Sequence, residues 1–187
     1  RQGGSGYYDR FRDRILFPIR DISGNMTGFG ARILNPNDIP KFINSPQTIL
    51  FDKSALLYGL DKARKAIRKS NQVVIVEGYL DVIASHQADY KNSVSPMGTA
   101  LTEAQLRQLK RFTRKIVLAL DPDAAGGKAT LRGLEVAREA LDRSPDIVFD
   151  VRGLIRHEAR LQADLRVSTL PEGQDPDEIV LSSPEKW

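Results

Sequence analysis

The amino-acid sequence predicts an α/β fold: a mainly parallel sheet flanked by helices, preceded by part of a small basic mixed α+β subdomain. Three observations carry this. Val73-Val74-Ile75-Val76 and residues 116–120 are short, continuous apolar runs, the pattern of strands buried on both faces. Stretches of helical periodicity alternate with them, the order expected of a parallel sheet with crossover helices. Ahead of residue 71, two alternating runs meet at a turn-rich segment, which signals an antiparallel hairpin.

Residues 1–8 form a Gly-rich start without periodicity. Strands are expected over 15–20 and 26–34, joined through Asp21-Ile22-Ser23-Gly24-Asn25. Residues 35–46, with three prolines, read as loop. Leu56, Leu60, Ala63 and Ile67 recur at helical spacing and predict a helix over 54–69, with Gly59 a mild cost inside it. The first buried strand ends at Glu77-Gly78, and a helix follows to about residue 87. Val94 marks a second short strand. Thr102-Glu103-Ala104-Gln105 is a capping box, and Leu106, Leu109 and Phe112 continue its helix. The strand at 116–120 runs into Asp121-Pro122-Asp123-Ala124-Ala125-Gly126, then a helix through Leu141. A further strand is expected at 146–151. Residues 152–166 read as a short helix or an insertion, and 169–178 as loop. The chain divides into a basic subdomain over 1–70 and an α/β domain over 71–187.

Composition narrows the function classes. Hydrophobic residues make up 41% and charged residues 28%, which places the chain among folded globular proteins rather than disordered tails. No apolar run approaches the roughly 20 residues that cross a bilayer, and Arg1 to Gly6 lacks the apolar segment of a secretory signal. Zero cysteines exclude disulfides, a thiolate zinc site and a cysteine nucleophile. A cytoplasmic protein fits all of this. Residues 1–70 hold 13 Lys/Arg against 6 Asp/Glu, whereas residues 71–187 hold 15 against 18. Basic surface attracts phosphates and clustered carboxylates attract divalent cations, although uneven solvated surface explains the split equally simply.

Glu77 closes the first buried strand, Asp121 and Asp123 close a later one, and Asp175 and Asp177 lie in the loop after the last strand. Strands of a parallel sheet end at one edge, so these acids converge there although distant in sequence. Their mutual repulsion is relieved by a hard divalent cation with oxygen ligands. In the extended Asp121-Pro122-Asp123 both carboxylates point to one side, and Pro122 stiffens the segment. A lone Asp-x-Asp more often marks a turn or cap; the signal is the combination at strand ends. Asp81, one turn beyond Glu77, has two readings: a supporting acid beside the metal, or a first-turn acid facing the helix dipole. His86 and His157 lack ligand-like spacing.

At these residues the chain resembles the TOPRIM module, an Mg²⁺-binding α/β domain whose pattern is Glu-Gly after one strand and Asp-x-Asp after another. Glu77-Gly78-Tyr79-Leu80-Asp81-Val82 and residues 170–178 resemble bacterial DnaG-type primases in particular. So do Arg10-Phe11-Arg12-Asp13-Arg14, Phe17-Pro18-Ile19-Arg20-Asp21, Gly28-Phe29-Gly30-Ala31-Arg32, Lys41-Phe42-Ile43-Asn44-Ser45-Pro46 and Leu57-Tyr58-Gly59-Leu60, in the same order. The resemblance covers nearly the whole chain. Pro122 and Ala124 stand where the family usually has Gly and Arg.

The resemblance implies template-directed synthesis of short RNA primers on single-stranded DNA from ribonucleoside triphosphates, as the catalytic core of a primase. It implies Glu77, Asp121 and Asp123 as catalytic metal ligands, with Mg²⁺ as cofactor and Mn²⁺ as substitute. It assigns Asp175 and Asp177 to a further metal or to the triphosphate's own ion. It places Arg32, Lys41, Asn44, Ser45 and Lys53 on a basic ridge that meets nucleotide and template phosphates. Zinc is expected only in a separate amino-terminal module, and the replicative helicase only through a separate carboxy-terminal domain; the chain itself is expected to be a monomeric fragment without membrane contact. Two other readings use the same acids: a TOPRIM nuclease, which has no need of the Arg32 to Ser45 segment, and a non-catalytic module that binds nucleotide and metal. A nucleotide-sugar transferase leaves Glu77 unexplained, and no tyrosine has the context of a topoisomerase nucleophile.

Overall fold

In the first sheet, alternation decides which side chains face inward. Along β1 (Arg14–Arg20) Phe17 and Ile19 are buried while Leu16 and Pro18 face outward; Ile15, on the inward face, is exposed near the strand's start. The structure is a computed structural model that describes residues 9–97, 100–119, 143–149, 155–161, 164–168 and 176–182. β1 pairs antiparallel with β2 (Met26–Ile33), Phe17 opposite Gly30. Asp21 closes the turn, its Oδ1 accepting the backbone N–H groups of Ser23 and Asn25 at 2.9 Å each. The loop expected over 35–46 contains a third strand, β3 (Phe42–Asn44), which pairs with β2 and sets Asn44 opposite Gly30. Three residues are too few for alternation to show.

The second sheet is parallel throughout, in the order β5-β4-β6-β9. Its members are β4 (Val73–Ile75), β5 (Ser93–Val94), β6 (Lys115–Ala119) and β9 (Asp164–Ser168). Val73, Ile75, Val94, Ile116 and Leu118 are buried under α1 (Leu60–Ser70) and α3 (Glu103–Leu109). Val74, Val76 and Ala119 are buried on the other face, with Val82 of α2 (Tyr79–Gln87). Helices therefore cover both faces of β4 and β6, which accounts for their continuous apolar runs.

The sequence places several boundaries wrongly. α1 begins at Leu60, not at residue 54, because Gly59 sits at φ 81° and ends the preceding turn. The strand expected at 146–151 is β7 (Arg143–Phe149). It pairs antiparallel with β8 (Ile155–Leu161) in a separate two-stranded ribbon and stands outside the parallel sheet. Within 152–166, considered as a short helix, the described residues 155–161 form β8 and 164–166 begin β9. The loop expected through residue 178 gives way at Pro176 to a helix, α4 (Pro176–Ser182), which buries Ile179 and Val180 and packs against α2. The helix expected before Leu141 lies outside the described residues.

Candidate metal and nucleotide site

Strand register builds the site. β4 and β6 pair Ile75 with Leu118, and β6 and β9 pair Ala119 with Ser168, so all three strands run out at one edge. Glu77 stands two residues past the end of β4 and is half-buried there. Its backbone is held: the Ser95 hydroxyl donates to the Glu77 carbonyl at 2.6 Å. Ser95 is fully buried, exchanges backbone hydrogen bonds with Tyr58 at 2.8 and 3.2 Å, and accepts at Oγ from Met97 N–H at 2.8 Å. One residue on, Gly78 N–H donates to Asp81 Oδ2 at 2.8 Å. Asp81 therefore acts as the first-turn acid of α2, satisfying an N–H that has no partner within the helix.

In sequence, Asp121 comes two residues after the end of β6. Asp121, Asp123 and Asp175 lie outside the described residues. Asp177 is half-buried in the first turn of α4, its Oδ1 accepting from Glu178 N–H at 3.0 Å. Among the described residues no group of three or more acids or histidines gathers around one point. The Glu77 carboxylate at the edge, in a chain without cysteine, suits a hard divalent cation. His86 stands apart from it, its Nε2 bonded to the Ser93 carbonyl at 3.0 Å.

Near this edge the basic subdomain meets a side chain of α2 for which the sequence suggests no role. Tyr79, two residues past Glu77, is buried, stacks on Phe17 at 5.2 Å between ring centroids, and meets Tyr58 edge-on at 4.8 Å. Its hydroxyl donates to Asn44 Oδ1. Burial, then the neighbouring Tyr58, push the phenol well above its ordinary pKa, so it stays a donor. Gly30 leaves room for the ring: a Cβ there would lie 2.5 Å from the Tyr79 hydroxyl oxygen. The two glycines at 28 and 30, on one face of a strand, were the available signal of such a close approach.

The structure places the other expected contacts as follows. Asn44 also accepts at its carbonyl from the Arg10 guanidinium at 3.2 Å. Ser45 Oγ accepts from Phe29 N–H at 2.9 Å. Arg32 and Lys41 flank the Phe42 ring at 5.6 and 5.8 Å from its centroid. Lys53 is half-buried, its carbonyl accepts from the Gln105 amide at 3.2 Å, and burial holds its ammonium below the usual lysine pKa.

Residues 1–64 match the family model "DNA primase catalytic core, N-terminal domain", and residues 71–146 match the Toprim domain model. A DNA primase of Synechococcus elongatus is 46% identical over 182 residues, covering 96% of this chain and 24% of the relative. This chain belongs to the DnaG-type primases. A DNA primase domain from Pseudomonas aeruginosa superposes with a TM-score of 0.82 at 38% identity, covering 98% of this chain and 51% of that one. A DnaG primase catalytic domain bound to single-stranded DNA gives 0.78 at 36% identity, covering 96% of this chain and 50% of that one. The chain thus spans about a quarter of the curated DnaG-type relative and about half of the solved catalytic domains. Its Toprim domain implies use of a divalent metal, in keeping with the Glu77 carboxylate at the sheet edge.

Proposed function

We propose that this chain forms part of the catalytic core of a primase, which copies single-stranded DNA into short RNA primers from ribonucleoside triphosphates. The observation that supports the reading is the register of β4 against β6, which ends β6, two residues before Asp121 in sequence, at the edge where Glu77 follows β4. The carboxylates of Glu77, Asp121 and Asp123 are the proposed ligands of Mg²⁺, with Mn²⁺ as substitute, and Asp175 and Asp177 the proposed holders of a further cation or of the triphosphate's own. When bound, the cation supplies positive charge that activates the attacking ribose hydroxyl and steadies the leaving pyrophosphate.

The chain's own residues orient the reactants. The Ser95 hydroxyl and the Asp81 carboxylate hold the C=O and the N–H of the Glu77–Gly78 peptide, so the Glu77 carboxylate is presented from a fixed turn. Asn44 Oδ1 is taken by Tyr79, which leaves its amide N–H groups to face a phosphate oxygen. Arg32 and Lys41 beside Phe42 offer charge and an apolar ring to nucleotide or template. Lys53, already partly desolvated, gains from an anionic neighbour. The DnaG relative solved with single-stranded DNA supports that partner. A cytoplasmic monomer that meets its helicase and a zinc module through other domains completes the proposal.

Calorimetry with Mn²⁺ and a ribonucleoside triphosphate tests it on this chain and on Glu77→Gln with Asp121→Asn. Metal-dependent nucleotide binding that disappears in the double variant is the expected result. Metal-independent binding that survives both substitutions would point instead to a nucleotide-binding module without the carboxylate site.

A further inference from the structure

The edge of the parallel sheet opposite Glu77 carries a second concentration of charge. All four strands begin there, β6 at Lys115 and β9 at Asp164, while α1 and α3 end there at Ser70 and Leu109. An open groove of about 480 Å³ runs across it, lined by Lys110, Arg111, Phe112, Arg114, Lys115 and Asp164 among others. The Arg68 guanidinium lies 4.8 Å over the Phe112 ring. Among the described residues, five cations thus gather at one half-buried aromatic ring and one carboxylate.

Helix ends explain only part of this. Arg68 in the last turn of α1 and Lys110 at the end of α3 complement helix C-termini, each of which carries about half a negative charge. Two such ends offset about one cation of the five. Asp164 is answered by Arg166, whose Nη2 lies 2.8 Å from its Oδ2. The groove keeps an excess of positive charge: Lys115 shares Asp164 with Arg166, and Arg111, Arg114 and Lys115 are all exposed to solvent. A shallow open groove with distributed cations and an aromatic floor suits an extended polyanion rather than a small enclosed ligand.

We propose that this edge is a second nucleic-acid surface, which holds the phosphate backbone of single-stranded DNA without reading its sequence. The proposal rests on the primase reading for its choice of polyanion. The length of β6 separates it from the carboxylate edge by roughly 15 to 20 Å, so a strand held here is tethered outside the reaction site.

Fluorescence anisotropy with a labelled oligothymidylate of about 20 nucleotides, titrated between about 50 and 200 mM salt, tests it on the intact chain. One variant is Arg111→Ala with Arg114→Ala and Lys115→Ala; a second exchanges the same positions between Arg and Lys; a third is Arg32→Ala with Lys41→Ala. Each phosphate contact on a single strand contributes about 0.7 to the salt slope. The alanine triple variant is expected to lower that slope by about 2, so that the parent's affinity falls about 15-fold further across the titration. The same drop is expected on the Arg32/Lys41 background, and the Arg–Lys exchange is expected to keep the parent slope. Circular dichroism confirms that each variant is folded. A parent slope in the alanine triple variant overturns the proposal and assigns the groove to another partner, such as an acidic protein segment. Mn²⁺-dependent nucleotide binding, measured in parallel, separates the two readings. Its absence from the parent overturns the primase site whatever the slopes, and its presence beside unchanged slopes overturns this surface alone.

Discussion

Gly30 and His86 show how single positions are constrained by neighbours far away in sequence. At Gly30 a methyl group would sit 2.5 Å from the Tyr79 hydroxyl, and the ring is held by stacking on Phe17 and by Asn44. Gly30→Ala is therefore expected to destabilise the fold by about 1 to 3 kcal/mol through overpacking, as measured by urea denaturation. His86 illustrates linkage. Burial disfavours its charged form, and Lys62 and Lys91 add to this, against the Ser93 carbonyl bond and Asp61; together they place its pKa below the ordinary 6.5. As pH falls through 6.5 the unfolded chain takes up the proton before the folded one does, so stability declines from there down to the folded-state pKa. The melting temperature is expected to drop between about pH 7 and 5.5, and His86→Gln to flatten that part of the profile. Carboxylates held low by hydrogen bonds, such as Asp21 and Asp52, titrate below this window and leave the comparison clean.

At the scale of elements, what could be read from the sequence depended on length and on burial of both faces. The capping box at Thr102 is realised in full: Gln105 N–H donates to Thr102 Oγ1 at 3.2 Å and Thr102 N–H to Gln105 Oε1 at 3.0 Å. The same threonine hydroxyl donates to the Ser54 carbonyl at 2.6 Å, and the fully buried Gln105 donates to the Leu56 carbonyl at 2.8 Å. The cap thus also secures the segment before α1, and Thr102→Ala is expected to cost about 1 to 2 kcal/mol, read from the denaturation midpoint. β4 and β6 were legible because both faces are buried. β9 was not: it is an edge strand with only Leu165 and Val167 apolar, and Val167 is 42% exposed. The turn before α1 was hidden because Leu56 continues the helical spacing by chance, while the positive φ of Gly59 is a tertiary fact. There a Cβ would also meet Val82 of α2 at 2.8 Å.

Across the whole molecule, the sequence named Glu77 and its edge but could not show how the basic subdomain attaches to them. That junction is a tertiary cluster of Phe17, Ile19, Phe51, Tyr79 and Met97, drawn from β1, the segment before α1, α2 and the chain after β5. Charge separated residues 1–70 from the rest, yet packing joins them: the inward face of β1 is buried largely against residues of this cluster. A three-stranded sheet with so few buried residues gains its stability from that contact. The two sheets are therefore expected to unfold in one transition. Tyr79→Ala leaves a cavity beneath Phe17 and removes the Asn44 bond, a loss of about 3 to 5 kcal/mol for an aromatic truncation. The loss falls at the junction, so calorimetry of this variant is expected to show a broadened transition or two resolved ones, with the melts followed by different probes no longer coincident. Tyr79→Phe keeps the stacking and loses only the hydroxyl, so it should retain a single transition at a cost of about 1 kcal/mol. If Tyr79→Ala melts in one sharp step like the parent, the junction is not what couples the sheets, and the positioning of Asn44 must come from elsewhere.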